Sequence, residues 1–151
     1  MADSTRPGPG ELLTSLVPMV RTLGLVYEET GPERAVLRLP DLPEYRNHLG
    51  GPHAGAMFTL AESASGAVVL AAFGDRMDRA VPLPVHAEIS FLKVAKGPVT
   101  ATAELGRPAA EVTAELDAGR RPEFPVTVAI RRADGAVTGE MTVRWTLRPH
   151  G

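Results

Sequence analysis

The chain has no cysteine. That excludes a disulfide frame, a thiolate nucleophile and a zinc–thiolate site. Lysine is scarce: of 16 basic residues only Lys93 and Lys96 are not arginine. With so many Ala, Gly and Pro, this bias reads as genomic composition rather than function. No excess of positive charge exists. The net charge is −2, which removes the electrostatic footprint of a nucleic-acid binder. The opening MADSTRPGPG has no apolar signal core, so a cytoplasmic protein is expected. There is no Gly-x-Ser-x-Gly elbow and no Gly-Lys-Ser/Thr after a glycine run, which argues against serine-type hydrolysis and a phosphate-binding P-loop. His48, His53, His86 and His150 lack metal-ligand spacing, and no metal is expected.

What is present is ordinary for one globular domain: 151 residues, 44% hydrophobic and 23% charged. Residues 1–10 read as a disordered arm. Glu11 to Leu23 forms a short amphipathic helix that Pro18 ends or kinks. The division expected is an arm and short helix over 1–24, then one domain over 25–149. A first strand is expected at Glu33–Leu39 and a loop at Pro40–Gly55. Ala54–Phe73 is apolar almost all round and reads as a buried helix. Its length also suits a membrane span, but Glu62, Ser63 and Ser65 are costly in lipid, so no membrane partner is expected.

The remainder alternates with period two, the mark of half-buried strands. The expected strands are Val81–Phe91, Val99–Leu105, Val112–Leu116, Val126–Ile130 and Val137–Leu147, with a hairpin at Asp134-Gly135. Trp145 falls on the apolar phase and is expected in the core. A helix apolar on every side needs cover on every side. One curved sheet supplies part of that cover, and a second copy of the chain could supply the rest.

Glu62 breaks the pattern of the long helix. At 100° per residue its face holds Gly55, Phe58, Thr59, Ser65, Gly66 and Val69, small or polar for the most part. The opposite face holds Met57, Leu60, Ala64, Ala67, Val68 and Ala71 and should pack on the sheet. A poorly solvated carboxylate there should have a raised pKa. It is either a structural group bonded to an N–H or an arginine, or a catalytic base, and spacing alone leaves both open. Before the helix, Asn47, His48, Gly50, Gly51, Pro52, His53 and Gly55 crowd into nine positions. The helix N-terminus offers free N–H groups to an oxyanion. Asn47 equally suits an Asx turn, and His53 a helix cap.

The segment NHLGGPHAGAMFTLAE (47–62) resembles the signature of hotdog-fold acyl-CoA thioesterases, nearest the phenylacetyl-CoA type. SFLKVAKGPVTATA (90–103) resembles that family's strand and turn, and DAGRR, VTVAI and MTVRW resemble an uncharacterised hotdog subgroup. The resemblance covers roughly 33–148. It implies an α+β hotdog fold, with an antiparallel curved sheet wrapped around one long central helix. It implies hydrolysis of an acyl-CoA by a homodimer with shared sites, some relatives pairing into dimers of dimers. No cofactor is implied beyond the coenzyme A of the substrate.

By position, Glu62 matches the family's catalytic acid, as general base or nucleophile. Ala54 matches the Gly whose backbone N–H polarises the thioester carbonyl, with Gly55 beside it. Asn47 and His53 match residues that position water or carbonyl. Phe58 and Thr59 fall to the substrate pocket. His86 stands near the place of a Ser or Thr that some relatives carry, where this chain has Pro84. Lys93 and Lys96, with Arg107, Arg120 and Arg121, either meet the phosphates of coenzyme A or are solvated surface charge. Two other readings stay open: an acyl-CoA or lipid binder without catalysis, and a hydroxyacyl-thioester dehydratase. The dehydratase resemblance rests on His48 and Glu62 standing fourteen residues apart.

Overall fold

The computed structural model describes residues 7–151; the first six residues of the expected arm lie outside the described residues. The chain runs α1 (Pro9–Leu16), α2 (Pro18–Leu23), β1 (Val26–Thr30), β2 (Arg34–Leu39), α3 (Ala54–Phe73), β3 (Ala80–Phe91), β4 (Val99–Leu105), α4 (Ala109–Asp117), β5 (Glu123–Arg132) and β6 (Val137–Pro149). The six strands form one antiparallel sheet in the order β1-β2-β4-β5-β6-β3. It curves around α3, the hotdog arrangement expected.

The inward residues follow the register. Ala35, Ala103, Val128 and Met141 lie in one row across β2, β4, β5 and β6, and Leu37, Ala101, Ile130 and Gly139 in the next. β4 supplies only alanine to both rows, so α3 can settle close to the sheet there. The helix packs chiefly on β4 and β2, less on β5, and barely on β6. The concave face is thereby left partly open at β3, whereas the inward residues of β6 are buried. Along α3, Leu60, Ala64, Ala67, Val68 and Phe73 are fully buried. This helix is long and apolar enough to cross a bilayer, but here it is the core of the sheet.

Four points refine or correct the expectations. First, of the two outcomes expected at Pro18, an end or a kink, the structure has the end. Val17 is extended, at φ −119° and ψ 97°, and the two short helices meet there as an elbow. Second, Pro9 and Gly10 belong to α1, not to an arm. Pro9 takes the first helical position, where its missing N–H is harmless, and Gly10 packs on the Tyr27 ring. Third, β1 was not expected. Its residues are mostly exposed and a bulge between Tyr27 and Glu29 breaks the alternation. Fourth, residues 112–116 are helical. Val112 and Leu116 are buried four apart, a spacing that fits one face of a helix as well as of a strand.

The end of α4 is set by Gly119 in the left-handed region at φ 78°. Its N–H donates to Leu116 O at 3.0 Å, and that of Arg120 to Glu115 O at 3.0 Å, the double bond of a Schellman cap. Gly119→Ala should therefore lower stability by about 1 kcal/mol, read as a shift in the urea midpoint at unchanged slope.

Candidate active site

The loop before α3 is self-supporting. Asn47 Oδ1 accepts from the N–H of Leu49 at 2.9 Å and of Gly51 at 3.2 Å. Its Nδ2 donates to Pro52 O at 3.3 Å, and its backbone N–H to Gly51 O at 2.7 Å. The Asn47 side chain thus holds an Asx-type turn. His53 N–H donates to Tyr45 O at 2.7 Å, and His53 Nδ1 accepts from the Gly55 N–H at 2.8 Å as the helix cap. An accepting Nδ1 places the ring proton of the neutral imidazole on Nε2. With the Gly55 amide engaged, the N–H of Ala54, an exposed residue, is among the donors left at the positive end of the helix.

Across from this loop runs the segment after β3. Leu92 and Lys93 N–H both donate to Thr138 O, at 2.8 and 3.2 Å, and Arg132 Nη1 donates to Val94 O at 3.2 Å. Gly51 lies so close that a Cβ there would overlap the Ala95 carbonyl oxygen. Between the two segments is a cleft of about 350 Å³ whose walls include Asn47, Ala54, Phe91 and Lys93. Lys96 is exposed on the same turn.

Glu62 lies two turns further along α3. Its carboxylate has no hydrogen-bond or charged partner among the described residues, and burial holds its pKa above the ordinary value of 4.5. It lines a separate cavity of about 210 Å³, shared with α1, the elbow, Gly66 and Trp145. The Glu62 face of α3 is only half open. Phe58 is 37% exposed and Thr59 partly so, but Ser65, Gly66 and Val69 are buried. Leu13 and Trp145 sit over Gly66, and the Trp145 Nε1–H donates to Ser65 Oγ at 3.1 Å.

The structure thus brings Asn47, His53, Ala54 and Gly55 together with Lys93 and Lys96, and leaves Glu62 apart from them within one chain. Thr59 Oγ1 donates to Gly55 O at 3.0 Å. His86 is not brought in. It pairs with Arg144 on the outward phase of β3, after a bulge at Val85. Arg107 pairs with Glu111 and Glu115, at the opposite end of β4 from Lys96. Arg121 lies on that far side too, where its Nε–H donates to Thr146 Oγ1 at 3.1 Å. Leu13, Leu16 and Val17 beside Glu62 were not foreseen as site residues; the Pro18 break was the signal that a helix turns there.

The fold is that of a hotdog domain, and solved structures of this kind include proteins named as thioesterases. Residues 11–147 match the family described as Domain of unknown function (DUF4442), and the chain belongs to that family. Comparison with curated proteins finds no match. Among solved structures, a Pseudomonas aeruginosa protein of unknown function, called a "Probable Thioesterase", is similar at 28% identity, with 94% of each chain covered and a TM-score of 0.82. A variant of a thioesterase enzyme from Staphylococcus aureus is 18% identical over 88% of this chain and 100% of that one, with a TM-score of 0.71. A Shewanella oneidensis protein provisionally named a thioesterase is 13% identical over 93% and 95%, with a TM-score of 0.78. The last two show likeness of fold.

The raised pKa of Glu62 has a consequence for stability. Its folded form binds the proton more tightly than the unfolded chain does. That advantage is complete below about pH 4.5 and is lost as pH rises through the folded pKa. Glu62→Gln should therefore match the parent in melting temperature at pH 4 and exceed it at pH 8, with the gap growing between. A gap constant with pH would contradict the desolvation.

Proposed function

We propose that the chain is an acyl-CoA thioesterase that works as a homodimer with two shared sites. One observation carries the reading: an unpartnered, half-buried carboxylate, Glu62, stands on an otherwise apolar core helix beside an apolar cavity. Groups of this kind cluster at reacting centres. The names of the structural relatives favour the same chemistry.

In the reaction, Glu62 takes a proton from water as the water oxygen adds to the thioester carbonyl carbon. The carbonyl oxygen becomes negative and is met by the Ala54 N–H at the helix N-terminus. The C–S bond then breaks, and the leaving sulfur receives the proton from Glu62. Water is consumed; a free acid and the thiol of coenzyme A are formed. Direct attack by the carboxylate, through an enzyme-bound anhydride, reaches the same products. His53 keeps the amide cradle in shape and Asn47 holds the loop beneath it. Phe58 and Thr59 flank the path between the two helix positions. Lys93 and Lys96 are the charges placed for the phosphates of coenzyme A.

The shared site follows from distance. Ala54 and Glu62 are eight residues apart on α3, roughly 12 Å along the axis. One carbonyl needs its donor at about 3 Å and its base in direct reach or through one water. A single α3 does not place both groups on one thioester; two antiparallel copies across a two-fold axis do. β3 favours such pairing. It is a 12-residue edge strand with Val85 and Phe91 exposed, and a long free edge is a template for a second strand.

Thiol release from a panel of acyl-CoAs tests the activity. Glu62→Gln should fold and lose on the order of a hundredfold or more in rate. Binding without thiol release in the parent would favour a non-catalytic acyl-CoA binder instead. Complementation tests the sharing. Glu62→Gln is mixed with Gly55→Trp, which spoils the His53 cap; heterodimers should regain one working site in two. No recovery from folded, exchanging chains would refute the shared site.

A further inference from the structure

The cavity beside Glu62 has a shape that the reaction alone does not require. Its lining includes Leu13, Leu16 and Val17 of the elbow, Gly66 of α3 and Trp145 of β6, with Glu62 the single ionisable group among the described lining residues. On α3 the lining runs from Glu62 to Leu70, roughly 12 Å of helix. The volume is about 210 Å³, and the lining is apolar apart from Glu62 and Ser63.

The walls are fixed by directed bonds. The Arg21 Nη1–H group reaches back across the elbow to Thr14 O at 2.7 Å and Ser15 O at 3.3 Å. Thr14 Oγ1 bonds Tyr27 Oη at 2.9 Å, tying α1 to β1. Tyr45 Oη donates to Thr22 O at 3.0 Å, tying α2 to the loop before α3. Trp145 is held by Ser65 from the other side. The thin part of the enclosure is the elbow itself, where Leu16 lines the cavity and is also 63% exposed.

We infer that this slot receives the acyl chain of the substrate, with its reacting end at Glu62, and that the α1–α2 elbow stops it at medium length. The inference rests on the thioesterase reading for what happens at Glu62, but occupancy of the slot does not. An unbranched apolar chain satisfies the lining. A short polar acyl group leaves the slot empty, and a long chain meets Leu16 and Val17.

Trp145 is the single tryptophan of the chain, so its emission reports occupancy whether or not hydrolysis follows. Octanoyl-CoA added to the Glu62→Gln chain should change that emission saturably, and acetyl-CoA should not. Gly66→Val adds bulk to the wall against Leu13 and Trp145, displaces them into the slot, and should lower the preference for octanoyl-CoA over butyryl-CoA, in kcat/KM, at least tenfold. Leu16→Ala opens the elbow and should raise dodecanoyl-CoA relative to octanoyl-CoA by up to about tenfold. If Gly66→Val does not fold, Gly66→Ala serves, because its methyl would meet Leu13 and Trp145 at an ordinary 3.8 Å. A saturable emission change without thiol release from the parent would support the slot and overturn the hydrolase. Thiol release with silent Trp145 emission, a preference unmoved by both variants, or a best substrate of palmitoyl- or phenylacetyl-CoA would overturn the slot and leave the hydrolase standing.

Discussion

α3 has no polar face, and the rest of the molecule is arranged to keep water from it. Leu60, Ala61, Ala64, Ala67, Val68, Val69 and Phe73 are all fully buried, and each large side chain among them contributes on the order of 1.5–3 kcal/mol. No single layer reaches all of them. The sheet covers one side, at the alanines of β4. α1 covers another through Leu13. Because α3 leans toward β2 and β4, β3 stays the least covered strand of the concave face. The cavity and the free β3 edge both lie on that side.

Set in that apolar surround, the treatment of Glu62 differs from that of other acids in the chain. Glu115 and Glu111 pair with Arg107, and Asp117 pairs with Arg79 at 2.7 Å. Asp134 takes both Arg132 and the Ala136 N–H. Where a carboxylate supports the fold, it has a cation or an amide, in keeping with the cost of a desolvated charge. Glu62 has neither, and burial raises its pKa. A structural carboxylate bonded to an N–H or an arginine was one reading open in the sequence. The described residues offer no such partner, so the fold gains nothing from this group that a glutamine would not supply.

The long helix was legible as a continuous apolar run, β2, β4 and most of β5 and β6 by one buried phase, and most of β3 by its apolar alternation, although only Ala80 of that strand is buried. Periodicity failed where two solutions share a spacing. Val112 and Leu116 fit either period, and the Ala-rich composition and Gly119 of α4 decide for helix. β1 has too few buried positions to show any period. Within the candidate site, the crowding of polar and glycine residues at 47–55 marked the loop, which in the structure lines a cleft at the start of α3. The bonds made by Asn47 and His53 were legible only as alternatives, because capping and catalysis ask for the same residue types. The covering of Ser65 and Gly66 was not legible at all. A helical wheel assigns faces to one helix, whereas the lid here comes from Leu13, more than fifty residues earlier, and from Trp145.

That covering links the position of Glu62 to distant parts of the chain. Ser65 Oγ donates to the Glu62 backbone carbonyl at 2.6 Å and accepts from Trp145 at 3.1 Å. The turn that carries the carboxylate is thereby tied to β6, which is paired with the free-edge strand β3 through eleven register partners. One residue on, Gly66 leaves the room that Leu13 and Trp145 occupy together. Small residues at 63–67 are thus required twice: for α1 to close over the helix, and for the indole to reach Ser65. A residue larger than alanine at 66 would push Trp145 or α1 outward and enlarge or collapse the cavity at the carboxylate. The geometry of that cavity is set by how closely three separate elements, α1, α3 and β6, can approach at Gly66.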